Sequence, residues 1–143
     1  MLHFALTYFE DLSLGQEAKI STTVTDADVV GFAEISGDTN PVHLDADYAS
    51  TTIFKDRIVH GMLSAAYISA VFGTRLPGPG AIYVSQSLRF KAPVKIGDTV
   101  VTTVKIIELN EEKNRAKFET VCAVAGKPVL TGEAELMVPR RPA

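Results

Sequence analysis

Apolar and polar positions alternate along four stretches in the second half of the chain, 81–90, 98–109, 116–124 and 129–138. Alternation of period two predicts strands. The connections between them hold Pro93 and Gly97, then the polar residues 110–114, then Gly126-Lys127-Pro128, so short turns make the series largely antiparallel. Nearer the amino terminus, 16–24 reads as a shorter strand. Thr25 with Asp28 three residues on has the form of a capping box and predicts a helix to about Ser36, its inward face made by Val29, Phe32, Ala33 and Ser36. Residues 45–50 suit one more helical turn, and 51–57 read as a polar, mobile connection. The stretch 61–72 differs from all of these: its residues are small or apolar nearly all round, the mark of a helix enclosed by other structure. An enclosed helix followed by a long antiparallel sheet predicts an α+β fold, the sheet curled around the helix.

The chemistry concentrates where the pattern breaks. Between Phe32 and His43 the chain reads Phe-Ala-Glu-Ile-Ser-Gly-Asp-Thr-Asn-Pro-Val-His. Pro41 lacks a donor and pushes Asn40 toward extended geometry, so the first helix must stop and the chain must bend between Asp38 and His43. Both side chains can then face one point. Hydration or dehydration next to a carbonyl needs such a pair, one group for a proton of water and another for the proton at the carbon beside the carbonyl. A carboxylate and an imidazole suit the task. The plainer account is a helix end at Gly37, an Asx-type turn at Asp38 and a polar His43 at a loop exit.

The whole string resembles the signature of the MaoC-like, or (R)-specific enoyl-CoA hydratase, family through Phe32, Ser36, Gly37, Asp38, Asn40, Pro41, His43 and Ala49. The resemblance continues through Ile58-Val59-His60-Gly61-Met62 and from Gln86 to Asp98, nearly the full chain in family order. It implies a single hot-dog domain over 1–143, a sheet wrapped around a central helix. It also implies reversible syn addition of water across a trans-2-enoyl thioester to give an (R)-3-hydroxyacyl thioester, with coenzyme A as the carrier. No cofactor is then needed, because coenzyme A arrives on the substrate. Asp38 and His43 would activate one water, Asn40 would shape the turn, and the Gly61 N–H would meet the thioester oxygen at the first turn of the enclosed helix, where backbone donors lack internal partners. Proteins of this kind assemble as dimers, so a homodimer is expected. A hot-dog acyl-CoA thioesterase and a non-catalytic acyl-binding subunit of a dehydratase complex are the rival readings, since a fold alone does not fix a reaction.

Other residues enter more weakly. Ser69 and Phe72 on the enclosed helix are core residues that would border an acyl pocket if substrate enters beside the helix. Arg89 and Lys91 could meet coenzyme A phosphates, although a solvated strand face explains them as simply. His60 reads as a hydrogen-bonded structural histidine, and Arg140-Arg141 as a loose tail. Asp45, Asp47, His43 and His60 match no metal-binding spacing, so no metal is expected.

Composition narrows the classes further. With 143 residues, 46% of them hydrophobic, the chain fits one domain. A formal net charge of −3 without a basic run gives no support to a nucleic-acid or membrane-surface role. The single cysteine, Cys122, lies in an alternating apolar segment and reads as a buried thiol. Residues 1–10 lack the pattern of a leader, and no run reaches the roughly eighteen apolar residues of a membrane span, so a cytoplasmic protein is expected.

Overall fold

Thr25 is the clearest case of local sequence dictating local structure. Its side chain accepts the N–H of Asp28, and the Asp28 carboxylate accepts the N–H of Thr25, the reciprocal box that starts a helix. A computed structural model of the chain describes residues 4–143, and in it helix α1 runs Asp26–Ser36 and ends at Gly37 with φ 79°. Of its expected inward face, Val29 and Ala33 are buried and Phe32 half-buried, whereas Ser36 is exposed and turns its hydroxyl to the Phe32 carbonyl. Two short helices follow, α2 at Pro41–Leu44 and α3 at Ala46–Ser50, and then the long α4 at Gly61–Thr74.

The strands are β1 Glu17–Thr23, β2 Ile82–Gln86, β3 Arg89–Phe90, β4 Thr99–Asn110, β5 Arg115–Val124 and β6 Lys127–Met137. They form one antiparallel sheet in the order β1-β4-β5-β6-β2, with β3 beside β2 on β6. Period two governs burial as the pattern predicts. Val100, Thr102, Val104 and Ile106 of β4 face inward, as do Ala116, Phe118, Thr120 and Cys122 of β5. Helix α4 lies on that face through Leu63, Ile68, Val71 and Phe72, and the sheet and helix share one core. The α+β hot-dog arrangement is therefore the one observed. Cys122 is fully buried between the Thr102 hydroxyl and the Ser64 carbonyl, and burial pushes its thiol up.

Several details depart from the sequence reading. The stretch 81–90 is two strands, broken at Ser87-Leu88. The Ser87 hydroxyl accepts the Glu133 N–H, and the Ser87 carbonyl presses so close to Gly132 that an added Cβ would lie 1.9 Å from it. The final hairpin turns at Ala125-Gly126, both at positive φ, with Lys127 and Pro128 already in β6. Segment 51–57 is tied down: Lys95 reaches the Phe54 carbonyl and the Asp56 carboxylate, and Arg57 pairs with Asp26. The tail is docked as well. Arg140 donates to Asn114 and to the Glu111 carbonyl and lies over Phe9, while Arg141 pairs with Asp11. Helix α4 is buried against the sheet as expected, through Leu63, Ser64, Ile68, Val71 and Phe72, while Met62, Ala66 and Ser69 are exposed. Among the described residues no helix is long and apolar enough to cross a membrane.

Candidate active site

Gly37 ends α1 and Asn40 starts α2, so Asp38 is held in a turn with almost no freedom of its own. Its N–H donates to the Ser36 hydroxyl, its Oδ1 accepts the Asn40 N–H at 3.3 Å, and its carbonyl accepts from Nε2 of His60 at 2.9 Å. The Asn40 side chain caps α2 by accepting the Val42 N–H at 3.1 Å, and Pro41 sits at the first helical position, where a missing donor costs nothing. The Asx turn and the approach of the carboxylate to the imidazole thus coexist: the turn is what aims the carboxylate.

His43 lies two residues into α2 and is 7% exposed. Its Nδ1 is 2.8 Å from the Ile58 carbonyl. A carbonyl only accepts, so Nδ1 carries the hydrogen and the neutral ring presents a lone pair at Nε2. That Nε2 is 3.9 Å from Oδ2 of Asp38, whose side chain is half-exposed. His60, 1% exposed, stacks on His43 with ring centroids 3.8 Å apart and planes at 24°, and the Phe32 ring packs tilted against His60 at 4.9 Å. His60 therefore supports both members of the pair, one through its ring and one through the Asp38 carbonyl. Arg57 adds a brace, donating from Nε to the His43 carbonyl at 2.7 Å while its other end holds Asp26 at 2.7 Å.

Asp38, His43 and His60 each bring a possible ligand atom within 4.8 Å of the others. Their geometry suits an ion poorly. Stacked rings keep their in-plane lone pairs in two nearly parallel planes, so no point lies in line with both imidazoles at a bonding distance of about 2 Å. Asp45 caps α3 through the Tyr48 N–H, and Asp47 stands exposed in the first turn of that helix.

Gly61 is the first residue of α4. The N–H groups of Leu63 and Ser64 turn back to the His60 carbonyl, whereas the Gly61 N–H has no partner among the described residues. The absence of a side chain at 61 also admits the Phe90 ring, whose Cε1 would lie 2.6 Å from an added Cβ. Gly61, Asp38, Met62, Phe54, Phe90 and Lys91 border a cavity of about 520 Å³. A second cavity, about 630 Å³, runs beside the exposed face of α4 and includes Ser69, Ala66, Tyr83 and Gln86 in its wall.

Of the residues singled out from sequence, Asp38, His43, Asn40 and Gly61 come together, and Lys91 stands at the same cavity. Ser69 lies on the second cavity instead. Phe72 lines neither; it is 2% exposed and packs edge-on against Phe118 at 4.8 Å, a core residue. Arg89 is an exposed residue of β3, opposite Thr131, and borders neither cavity. Phe54 and Phe90 at the cavity, and the Ile58 carbonyl behind His43, join the site without a signal in the sequence. Phe90, 53% accessible, stands out only once the chain is folded.

A family model, the MaoC-like domain, matches residues 12–132. The chain is 60% identical over 136 residues to an (R)-specific enoyl-CoA hydratase of Rhodospirillum rubrum, covering 95% of this chain and 94% of the relative. It is 51% identical over 134 residues to a 3-hydroxybutyryl-CoA dehydratase of Methylorubrum extorquens, covering 94% and 85%. The unliganded structure of an R-hydratase from Pseudomonas aeruginosa superposes with a TM-score of 0.90 at 48% identity, covering 95% of this chain and 88% of that one. The motif around Asp38, the sheet wrapped on α4 and these relatives agree, and the chain belongs to the MaoC-like domain family, as an enzyme of the hydro-lyase class.

Proposed function

We propose that the protein adds water reversibly, and syn, to trans-2-enoyl-CoA to give (R)-3-hydroxyacyl-CoA, with Asp38 and His43 acting together on one water. The observation that carries the reading is the pairing of two acceptors. With Nδ1–H committed to Ile58, neutral His43 presents a lone pair, and ionised Asp38 presents another, 3.9 Å away. Two acceptors cannot bond each other, and the gap exceeds a direct hydrogen bond. A molecule with two O–H donors satisfies both, and water is that molecule.

The bound water keeps its oxygen lone pairs for the β-carbon. As that C–O bond forms, the dyad takes one proton of the water, the electrons of the C=C bond move toward the thioester, and the α-carbon receives a proton from the dyad. Negative charge gathers on the thioester oxygen, where the Gly61 N–H at the start of α4, without a partner among the described residues, suits it. Lys91, exposed at the same cavity, suits the phosphates of the carrier. No separate cofactor takes part.

The active assembly is a homodimer. The outer edge of β2 has no partner strand among the described residues, and Ile82, Tyr83 and Val84 are exposed along it. Gel filtration giving only a monomer would count against this.

Crotonyl-CoA tests the reaction directly, by loss of the enoyl absorbance, chiral analysis of the product and a parallel assay for free thiol. The expected result is (R)-3-hydroxybutyryl-CoA without thiol release. Thiol release would replace the hydratase reading with a thioesterase.

A further inference from the structure

One buried ring touches both members of the dyad yet has no part in the proton transfers. His60 stands at the N-cap position of α4, and its carbonyl accepts the Leu63 and Ser64 N–H groups, so the helix fixes its backbone. Its side chain caps nothing. Instead Nε2 donates to the Asp38 carbonyl at 2.9 Å, and the ring face lies on His43 with centroids 3.8 Å apart. Asn40 links Asp38 to His43 through the backbone of the turn, whereas His60 links them from a separate element.

Packing alone does not explain a histidine at this position. Because a carbonyl only accepts, Nε2 carries the hydrogen and Nδ1 of the neutral ring keeps a lone pair, buried without a hydrogen-bond partner among the described residues. An unpaired buried acceptor lowers stability. Phenylalanine would fill the same flat space, beside the Phe32 ring already packed there, and would leave no such atom. What phenylalanine lacks is the N–H that holds Asp38. A polar group kept against the interest of stability is expected where function requires it.

The requirement is the width of the gap. Oδ2 of Asp38 and Nε2 of His43 are 3.9 Å apart. Hydrogen bonds of about 2.8 Å from one water to each of them meet at about 90°, an angle that its two O–H groups can serve. A gap about 1 Å narrower lets carboxylate and imidazole share a proton directly and displaces the water, while one about 2 Å wider leaves the water a single partner. Resting on the hydratase reading above, we propose that His60 is the positioning residue that sets this gap. Its N–H fixes the Asp38 backbone, its ring face fixes the height of His43, and α4 keeps both in register with the N–H of the adjacent Gly61. It touches no substrate and moves no proton.

The test is kcat and KM for crotonyl-CoA in the wild-type protein, His60→Phe and His60→Gln, with a thermal melt of each and a crystal structure of the phenylalanine variant. His60→Phe keeps the stack and loses the N–H; it should melt no lower than the wild type, keep KM within about twofold and lose about 10–100-fold in kcat, with the Asp38–His43 gap changed by about 0.5 Å or more. His60→Gln keeps a donor and loses the ring face, so it should also lose kcat at little change in KM, and it carries the test if the phenylalanine variant does not fold. A folded phenylalanine variant with wild-type kcat, a KM that rises in step with the fall in kcat, or loss of the fold in both variants would assign His60 to packing and overturn the inference, leaving the hydratase reading intact. Failure of the wild-type protein to hydrate any enoyl thioester would overturn both.

Discussion

Strands β4, β5 and β6 and the segment 37–60 are held in place by different means. In the strands, position follows from repetition. Ten register pairs join β4 to β5 and ten join β5 to β6, each ladder with one shift of register, and between the shifts each inward residue is fixed by the same alternation as its neighbours. In segment 37–60 there is no repetition. Asp38 is placed by Ser36, Asn40 and His60, and His43 by Ile58 and Arg57, each through a single hydrogen bond. The sheet spreads an error over many contacts, whereas the site concentrates it. Stability and activity should therefore respond to substitution in separable ways.

The sharpest test sets the two regions against each other. His43→Ala or Asp38→Asn should lower the hydration rate by about 10²–10⁴ while the protein remains folded by circular dichroism. Phe118→Ala, at a side chain with 0% exposure under α4, should do the reverse: unfolding in urea should show a loss of about 3–5 kcal/mol, with kcat per folded molecule nearly unchanged. If the dyad variants unfold, or the Phe118 variant loses turnover first, the separation fails.

Next comes a pair of glycines. Gly132→Ala drives a Cβ into the Ser87 carbonyl, which the sheet holds in place, and should cost about 1–3 kcal/mol of stability. The same substitution at Gly61 meets only the rim of an exposed Phe90 ring and should cost less in a melt than in kcat. Equal melting shifts would show that the ring is as fixed as the strand. A smaller effect is expected at the cap of α2, where Asn40→Ala removes the acceptor for the Val42 N–H. The loss should be about 1 kcal/mol in urea unfolding, with a fall in kcat at little change in KM.

The smallest effect lies at the docked tail. Hydrogen bonds from the local backbone, with the Arg141 N–H and guanidinium added, hold Glu10 and Asp11 below their ordinary values. Carboxyl groups depressed in the folded state contribute stability above their unfolded values and lose it as pH falls through the folded ones. The tail should therefore stay docked at neutral pH and detach on acidification below the ordinary carboxylate range, visible as a shift of the Arg141 amide in an NMR titration. A tail that leaves on raising the pH would contradict the assignment.

What the sequence revealed follows the same division. The α1 cap was legible because Thr25 and Asp28 are three residues apart and answer each other, and the long strands were legible because alternation is local. The bend at Asn40-Pro41 and the two side chains it aims were legible too. The break at Ser87-Leu88 was not, because its cause lies at Gly132, distant in sequence. Nor was the docking of Arg140 and Arg141, whose partners include Phe9 and Asp11 at the other end of the chain. The group that fixes the His43 tautomer was the least accessible of all: it is the Ile58 carbonyl, which every residue possesses and no side chain advertises. The burial of α4 against the sheet was legible in its small and apolar residues, but not that Met62, Ala66 and Ser69 would stay exposed, because such a run shows that water is disfavoured without saying on which side.

The Arg57 brace extends the site beyond its visible walls. One guanidinium joins the opening turn of α1 to the carbonyl of His43, so a disturbance at Asp26 reaches the imidazole without crossing the cavity. In a library built only from residues that border the substrate, that control point would never be sampled, and a turnover change arising from the far end of a helix would look like an accident of the background.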